Sequence, residues 1–97
     1  MARVKKIKLS AYDSADYLKT EKDVANYLEA VFEDGDPELM THALGVVARA
    51  RGMSKVAKKA GLGRESLYKA LSHGGNPQFL TVVKVMRALG LKLKIAA

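Results

Sequence analysis

Cysteine is absent from all 97 residues, which removes disulfide frameworks, thiolate catalysis and cysteine-ligated zinc together. No apolar run approaches the ~20 residues that a membrane span needs. The basic start, MARVKKIKLSAY, lacks the apolar stretch of a signal peptide, so the expected location is the cytoplasm. Internal repeats and low-complexity linkers are missing too. With 48% apolar and 28% charged residues the composition is that of neither a disordered chain nor a membrane protein. At this length one modest core is all the chain can bury.

Carboxylates are also scarce over more than half of the chain. Residues 39–97 hold eleven cations against Glu65 alone, net +10. Residues 10–38 hold nine carboxylates against Lys19 and Lys22, net −7, and residues 1–9 hold four cations, net +4. The total of +7 therefore conceals an acidic arm ahead of a strongly basic body. A basic body suits a polyanion, nucleic acid above all, and the asymmetry suggests two surfaces with two partners.

Punctuation divides the chain. Thr20 reads as an N-cap, with Asp23 placed to reach back to it, and Val24, Leu28, Val31 and Phe32 follow at helical spacing up to Gly35. Asp36-Pro37 then reads as cap and first helical residue. Leu39, Ala43, Leu44, Val47 and Ala48 form its apolar stripe, and Gly52 ends it after Arg51. Asn76-Pro77 repeats that start, ahead of a stripe of Phe79, Val82, Val83, Met86 and Leu89 that stops at Gly90. In the tail, Leu91, Leu93 and Ile95 alternate with Lys92 and Lys94, which predicts a short strand.

Between Gly52 and Gly75 the pattern predicts two short helices. Ser54 can cap the first, which runs through Ala60 and buries Val56 and Ala57. Gly61 supplies the positive φ of a sharp turn, and Leu62 plugs that turn into the core. The second runs from Gly63 or Arg64 to Ser72 and buries Leu67, Ala70 and Leu71. This is the plan of a helix-turn-helix. Its second helix would turn Arg64, Glu65, Ser66, Tyr68 and Lys69 outward, donors and one acceptor suited to base edges. Ser54, Lys55, Lys58 and Lys59 on the first helix, with His73 in the following loop, would meet phosphates.

Enzymatic constellations are thin. His42 and His73 are 31 residues apart, with no metal-ligand spacing and no nucleophile elbow. SHGGN lacks the setting of a phosphate loop, and the methionines read as core filler. No catalytic residue, metal or cofactor is expected.

The stretch HALGVVARARGMSKVAKKAGLGRESLYKALSHGGNPQFLTVVKVMRALGLKL resembles the antidote (antitoxin) proteins of addiction modules, related to the HigA type. ARARGM, GLGRESLYKALS, GNPQF and ALGLKL carry the likeness, and YDSADYLKTEKDVANYLEAVFEDGDPEL is similar to that family's N-terminal extension. Gly63 departs from it, standing where a serine or threonine cap is usual, at a cost of a few tenths of a kcal/mol. The resemblance implies an all-α, Cro/lambda-repressor-like bundle with an N-terminal helical arm and the short C-terminal strand. It implies residues 1–35 as a toxin-contacting arm and residues 36–97 as the DNA-binding domain. It also implies an RNase-type toxin as partner and autorepression by a homodimer on double-stranded operator DNA.

Under that resemblance Tyr12, Tyr17, Leu18 and Tyr27 would anchor a cationic toxin, with Asp13, Asp16, Asp23 and Glu29 around them. A dimer would place its half-sites ~34–36 Å apart. Leu91, Leu93 and Ile95 are the candidate pairing edge, together with the stripe around Met86. The alternative is a stand-alone phage-type repressor without a toxin partner.

Overall fold

A computed structural model describes residues 18–95, in which five helices follow one another: α1 Glu21–Asp34, α2 Pro37–Arg51, α3 Met53–Ala60, α4 Arg64–Ala70 and α5 Phe79–Ala88. The first two are started by side chains. Thr20 Oγ1 accepts from the Asp23 N–H at 3.0 Å, while the Asp23 carboxylate accepts from the Thr20 N–H at 3.2 Å. Two orphan donors of the first turn are satisfied reciprocally. Gly35, left-handed at φ 81°, closes α1. Asp36 then caps α2 by accepting from the Glu38 N–H at 3.0 Å, with Pro37 at the first position.

α3 and α4 begin without any such bond. Gly52 both closes α2 and precedes Met53, and Gly63 precedes Arg64, so neither helix has a side-chain cap. Ser54 lies inside α3 and does not cap it. These two helices are held by packing. α3 lies against α2, α4 and α5, and α1 packs on α2. Met53, Val56 and Ala57 of α3 and Leu67 and Leu71 from α4 and its end enter one buried cluster with Val24, Val31, Leu44, Val47 and Val85. Burial of each large side chain among them is worth roughly 1.5–3 kcal/mol relative to exposure.

Gly45, buried in the middle of α2, makes room for that cluster. A Cβ there would stand 2.6 Å from the Leu71 carbonyl oxygen, so α4 can rest its C-terminal end on α2 only where α2 has no side chain. A glycine inside a helix costs roughly 0.5–1 kcal/mol against alanine, and close approach offsets it here.

Three further expectations are corrected. Among the described residues there is no strand. Leu91 instead donates its N–H to the Met86 carbonyl at 2.9 Å while Gly90 donates to Arg87 at 3.0 Å, which closes α5 as a Schellman cap with Leu91 partly buried beside it. Second, α5 starts at Phe79 behind Gln78, not at Asn76-Pro77, because the chain stays extended through Gln78. Its buried line is Val85, Met86 and Leu89; Phe79 is 74% exposed and Val83 half-buried. Third, α4 ends at Ala70, which is half-buried, and Leu71 is its cap. Val24, Tyr27, Leu28 and Val31 of α1 belong to the same buried cluster as the rest.

Candidate nucleic-acid interface

The turn between α3 and α4 is set by three residues. Gly61 adopts φ 72°, which a residue with a Cβ reaches only under strain, and its N–H donates to the Lys58 carbonyl at 3.2 Å. The Leu62 N–H donates to the Ala57 carbonyl at 2.9 Å, and its side chain packs against the core as expected. Gly63, extended at φ −70° and ψ 140°, then directs the chain into α4. Ala57, nearly fully buried, sits in the helix that packs on α4, where a larger side chain would overpack by roughly 1–3 kcal/mol.

With Leu67 inward, α4 leaves Arg64, Glu65, Ser66, Tyr68 and Lys69 exposed, Tyr68 to 49%. The Ser72 hydroxyl donates to the Tyr68 carbonyl and so satisfies one acceptor at the end of this short helix. All five residues read as base-contacting therefore share one solvent-facing helix. Ser54, Lys55, Lys58, Lys59 and His73 are exposed as well. On α3 they divide by helical spacing: Lys55 and Lys59 on one flank, Ser54 and Lys58 on the other, with Met53, Val56 and Ala57 buried between.

The Lys55 and Lys59 flank lines a concavity of about 390 Å³ that also takes in Lys19 and Arg51. Lys19 and Arg51 were not singled out from the sequence. Arg51 had a signal in the four-residue spacing of Arg51, Lys55 and Lys59, which the helix break at Gly52 obscures, whereas Lys19 had none. A larger groove of about 530 Å³ lies between the start of α2 and the loop after α4, and brings His42 and His73 to one wall-to-wall space with Asp36 and Glu38. Among the described residues no group of three or more such side chains could hold a metal ion. Nor is any described helix long and apolar enough to cross a membrane.

The other predicted contacts fare less evenly. Leu18 and Tyr27, read as toxin anchors, are buried in the core, so their aromatic and aliphatic surface serves the chain's own packing. Tyr12, Asp13, Asp16 and Tyr17 lie outside the described residues. Among the pairing candidates, Met86 is buried and Leu91 partly so, whereas Leu93 and Ile95 are exposed.

Comparison with known proteins adds what geometry does not. No solved structure matches the chain. A Haemophilus influenzae protein described as "Uncharacterized protein" is 47% identical over 87 residues, covering 90% of each chain. A family model described as "Probable addiction module antidote protein" matches residues 8–97. On a match spanning nearly its whole length, the chain belongs to this family of addiction module antidote proteins.

Proposed function

We propose that this antidote acts as a helix-turn-helix antitoxin that neutralises an RNase-type toxin and represses its own operon. The observation that carries the DNA half is the exposed face of α4, five polar or charged side chains on a helix anchored from behind by Leu67. The surrounding charge supports it, because residues 39–97 carry eleven cations and one carboxylate. Arg64 and Lys69 can donate to guanine O6 and N7, Ser66 and Tyr68 to bases or phosphates, and Glu65 can accept from cytosine N4. Ser54, Lys55, Lys58, Lys59 and His73 serve the phosphates, which fix register without reading sequence.

One seven-residue helix reads only a few base pairs, so the DNA-bound form is a homodimer on a palindromic operator. Pairing falls to exposed Leu93 and Ile95, not to Met86, which is occupied by the core.

The toxin half rests on family membership and on charge. A nuclease that grips RNA needs a cationic face, and the acidic segment complements it. Tyr12, Asp13, Asp16 and Tyr17 supply this surface, extended by exposed Glu29 on α1, while Leu18 and Tyr27 hold α1 in place. The protein is thus a cytoplasmic binding protein and not an enzyme.

Two assays on the full chain test the halves separately. The product of the adjacent gene should copurify, and DNA from upstream of the gene pair should shift. Reversing Asp13 and Asp16 to lysine should slow toxin association and leave the DNA shift intact. Unchanged capture of toxin by that variant would move neutralisation to another surface.

A further inference from the structure

We infer that the concavity bearing Lys19, Arg51, Lys55 and Lys59 is a phosphate site for the nucleic-acid backbone, with Lys19 and Arg51 as contacts beyond the two-helix unit; this rests on the DNA-binding reading above. Three separate segments bring these cations around one space of about 390 Å³: the chain ahead of α1, the end of α2, and α3. No carboxylate is among the lining residues, and the floor is made by Leu18, Val56 and Leu89. Glu21, the acidic side chain nearest in sequence to Lys19, would meet a Cβ placed on Gly90, and it does not line the space.

Compensation of helix dipoles accounts for half of this arrangement. Arg51 and Lys59 stand in the last turns of α2 and α3, where a cation is favoured. Lys55 and Lys19 stand at the wrong ends. Lys55 is in the first turn of α3, which has no acidic residue to balance it, and Lys19 directly precedes the cap of α1. At α1 the first turn already holds Glu21 and Asp23, and the Asp23 carboxylate accepts from the Lys19 N–H at 3.3 Å. The unbalanced placement is that of Lys55, whose charge opposes the α3 dipole and which an external anion serves.

Arg51 is also held in position. Its Nη1 donates to the Lys19 carbonyl at 3.2 Å, which fixes the guanidinium at the rim and leaves its other donors available. A held guanidinium beside flexible lysines suits a phosphodiester, which takes bidentate arginine and point-charge lysine alike. The anion already assigned to α3 is DNA, and Lys55 and Lys59 belong to that helix. An acidic peptide is the competing occupant.

The test uses the full chain and a random-sequence duplex, titrated between 50 and 200 mM salt. Each phosphate contact contributes about 0.9 to the slope of log K against log salt. Lys19→Gln should make the slope shallower by about 0.9 and shrink the loss of affinity across that range about threefold, and adding Lys55→Gln should about double the change in slope. Lys19→Arg with Lys55→Arg should keep the slope, and Lys94→Gln, outside the concavity, should leave it unchanged. A melting curve for each variant separates unfolding from lost contact.

An unchanged slope in Lys19→Gln, with Lys55→Gln still lowering it and Arg64→Ala still weakening the operator complex, overturns this inference and spares the DNA-binding reading. Failure of the wild-type chain to bind any duplex at 50 mM salt removes both. Binding of an aspartate-rich peptide by wild type and not by the double glutamine variant, with DNA affinity equal in the two, assigns the concavity to an acidic protein segment and overturns it as well.

Discussion

α1 and α2 differ from α3 and α4 in how they begin, and the difference follows the charge. The first pair is long and started by Thr20, Asp23 and Asp36, side chains that are acidic or hydroxylic and complete their helices locally. The second pair is short and started by Gly52 and Gly63, which contribute no side-chain bond. An acidic cap would stand at the N-terminus of a helix that presents Arg64 and Lys69, and would repel phosphate there. Glycine adds no capping carboxylate there, so the first turn of α4 holds Glu65 as its one acidic side chain. Stability is consequently local in one pair and borrowed from neighbours in the other, and the borrowed pair carries the proposed interface.

The strongest way to break this comparison is to remove the lender. Deleting residues 1–36 strips Leu18, Val24, Tyr27, Leu28 and Val31 from the common core. At roughly 1.5–3 kcal/mol for each large side chain, the loss rivals the ~5–15 kcal/mol of a typical domain's stability. The remaining chain should lose its cooperative thermal transition by circular dichroism. A sharp transition near the full-length value would mean that the α3–α4 region stands alone.

A smaller change tests the contact between the two pairs directly. Gly45→Ala places a Cβ 2.6 Å from the Leu71 carbonyl oxygen, a backbone atom that cannot swing aside. Despite alanine's better helix propensity, stability in urea should fall by about 1–3 kcal/mol. Gly61→Ala isolates the turn, because nothing lies within 4 Å of the added Cβ and only φ 72° opposes it. The expected cost is about 1–2 kcal/mol, with asparagine costing less than alanine.

The finest contrast is between two hydroxyls. Thr20→Ala removes a bonded cap and should cost ~1 kcal/mol, whereas Ser54→Ala removes none and should change melting hardly at all. Equal losses would erase the distinction between local and borrowed starts.

The same contrast explains how much of the fold is legible in the sequence. α1 and α2 were legible to the residue, since Thr20-to-Gly35 and Asp36-to-Gly52 are bounded by side chains that announce a cap. α3 began one residue ahead of Ser54 because glycine gives no such signal. In α5 the run FLTVVKVMRALGL offers apolar residues at too many phases, so Phe79 and Val83 competed with Val85 for the buried face. The alternating tail was misread because Leu91 follows Gly90 as the apolar partner of a Schellman cap, which imitates strand periodicity over a few residues. Within the interface, the outward face of α4 was legible from Leu67 alone, whereas the meeting of Lys19 with Arg51 required tertiary structure. Burial of Leu18 and Tyr27 followed from α1 sharing the core, a fact that net charge cannot supply.

The central claim, that α4 reads DNA sequence, is tested most directly by the affinity of Arg64→Ala for two duplexes at fixed salt. One is DNA from upstream of the gene pair, the other a random sequence of equal length. The account predicts a loss of roughly 1–3 kcal/mol on the first and little change on the second beyond one lost charge, with Lys58→Ala weakening both alike. Equal loss for Arg64→Ala on both duplexes would contradict a base-reading role for this helix.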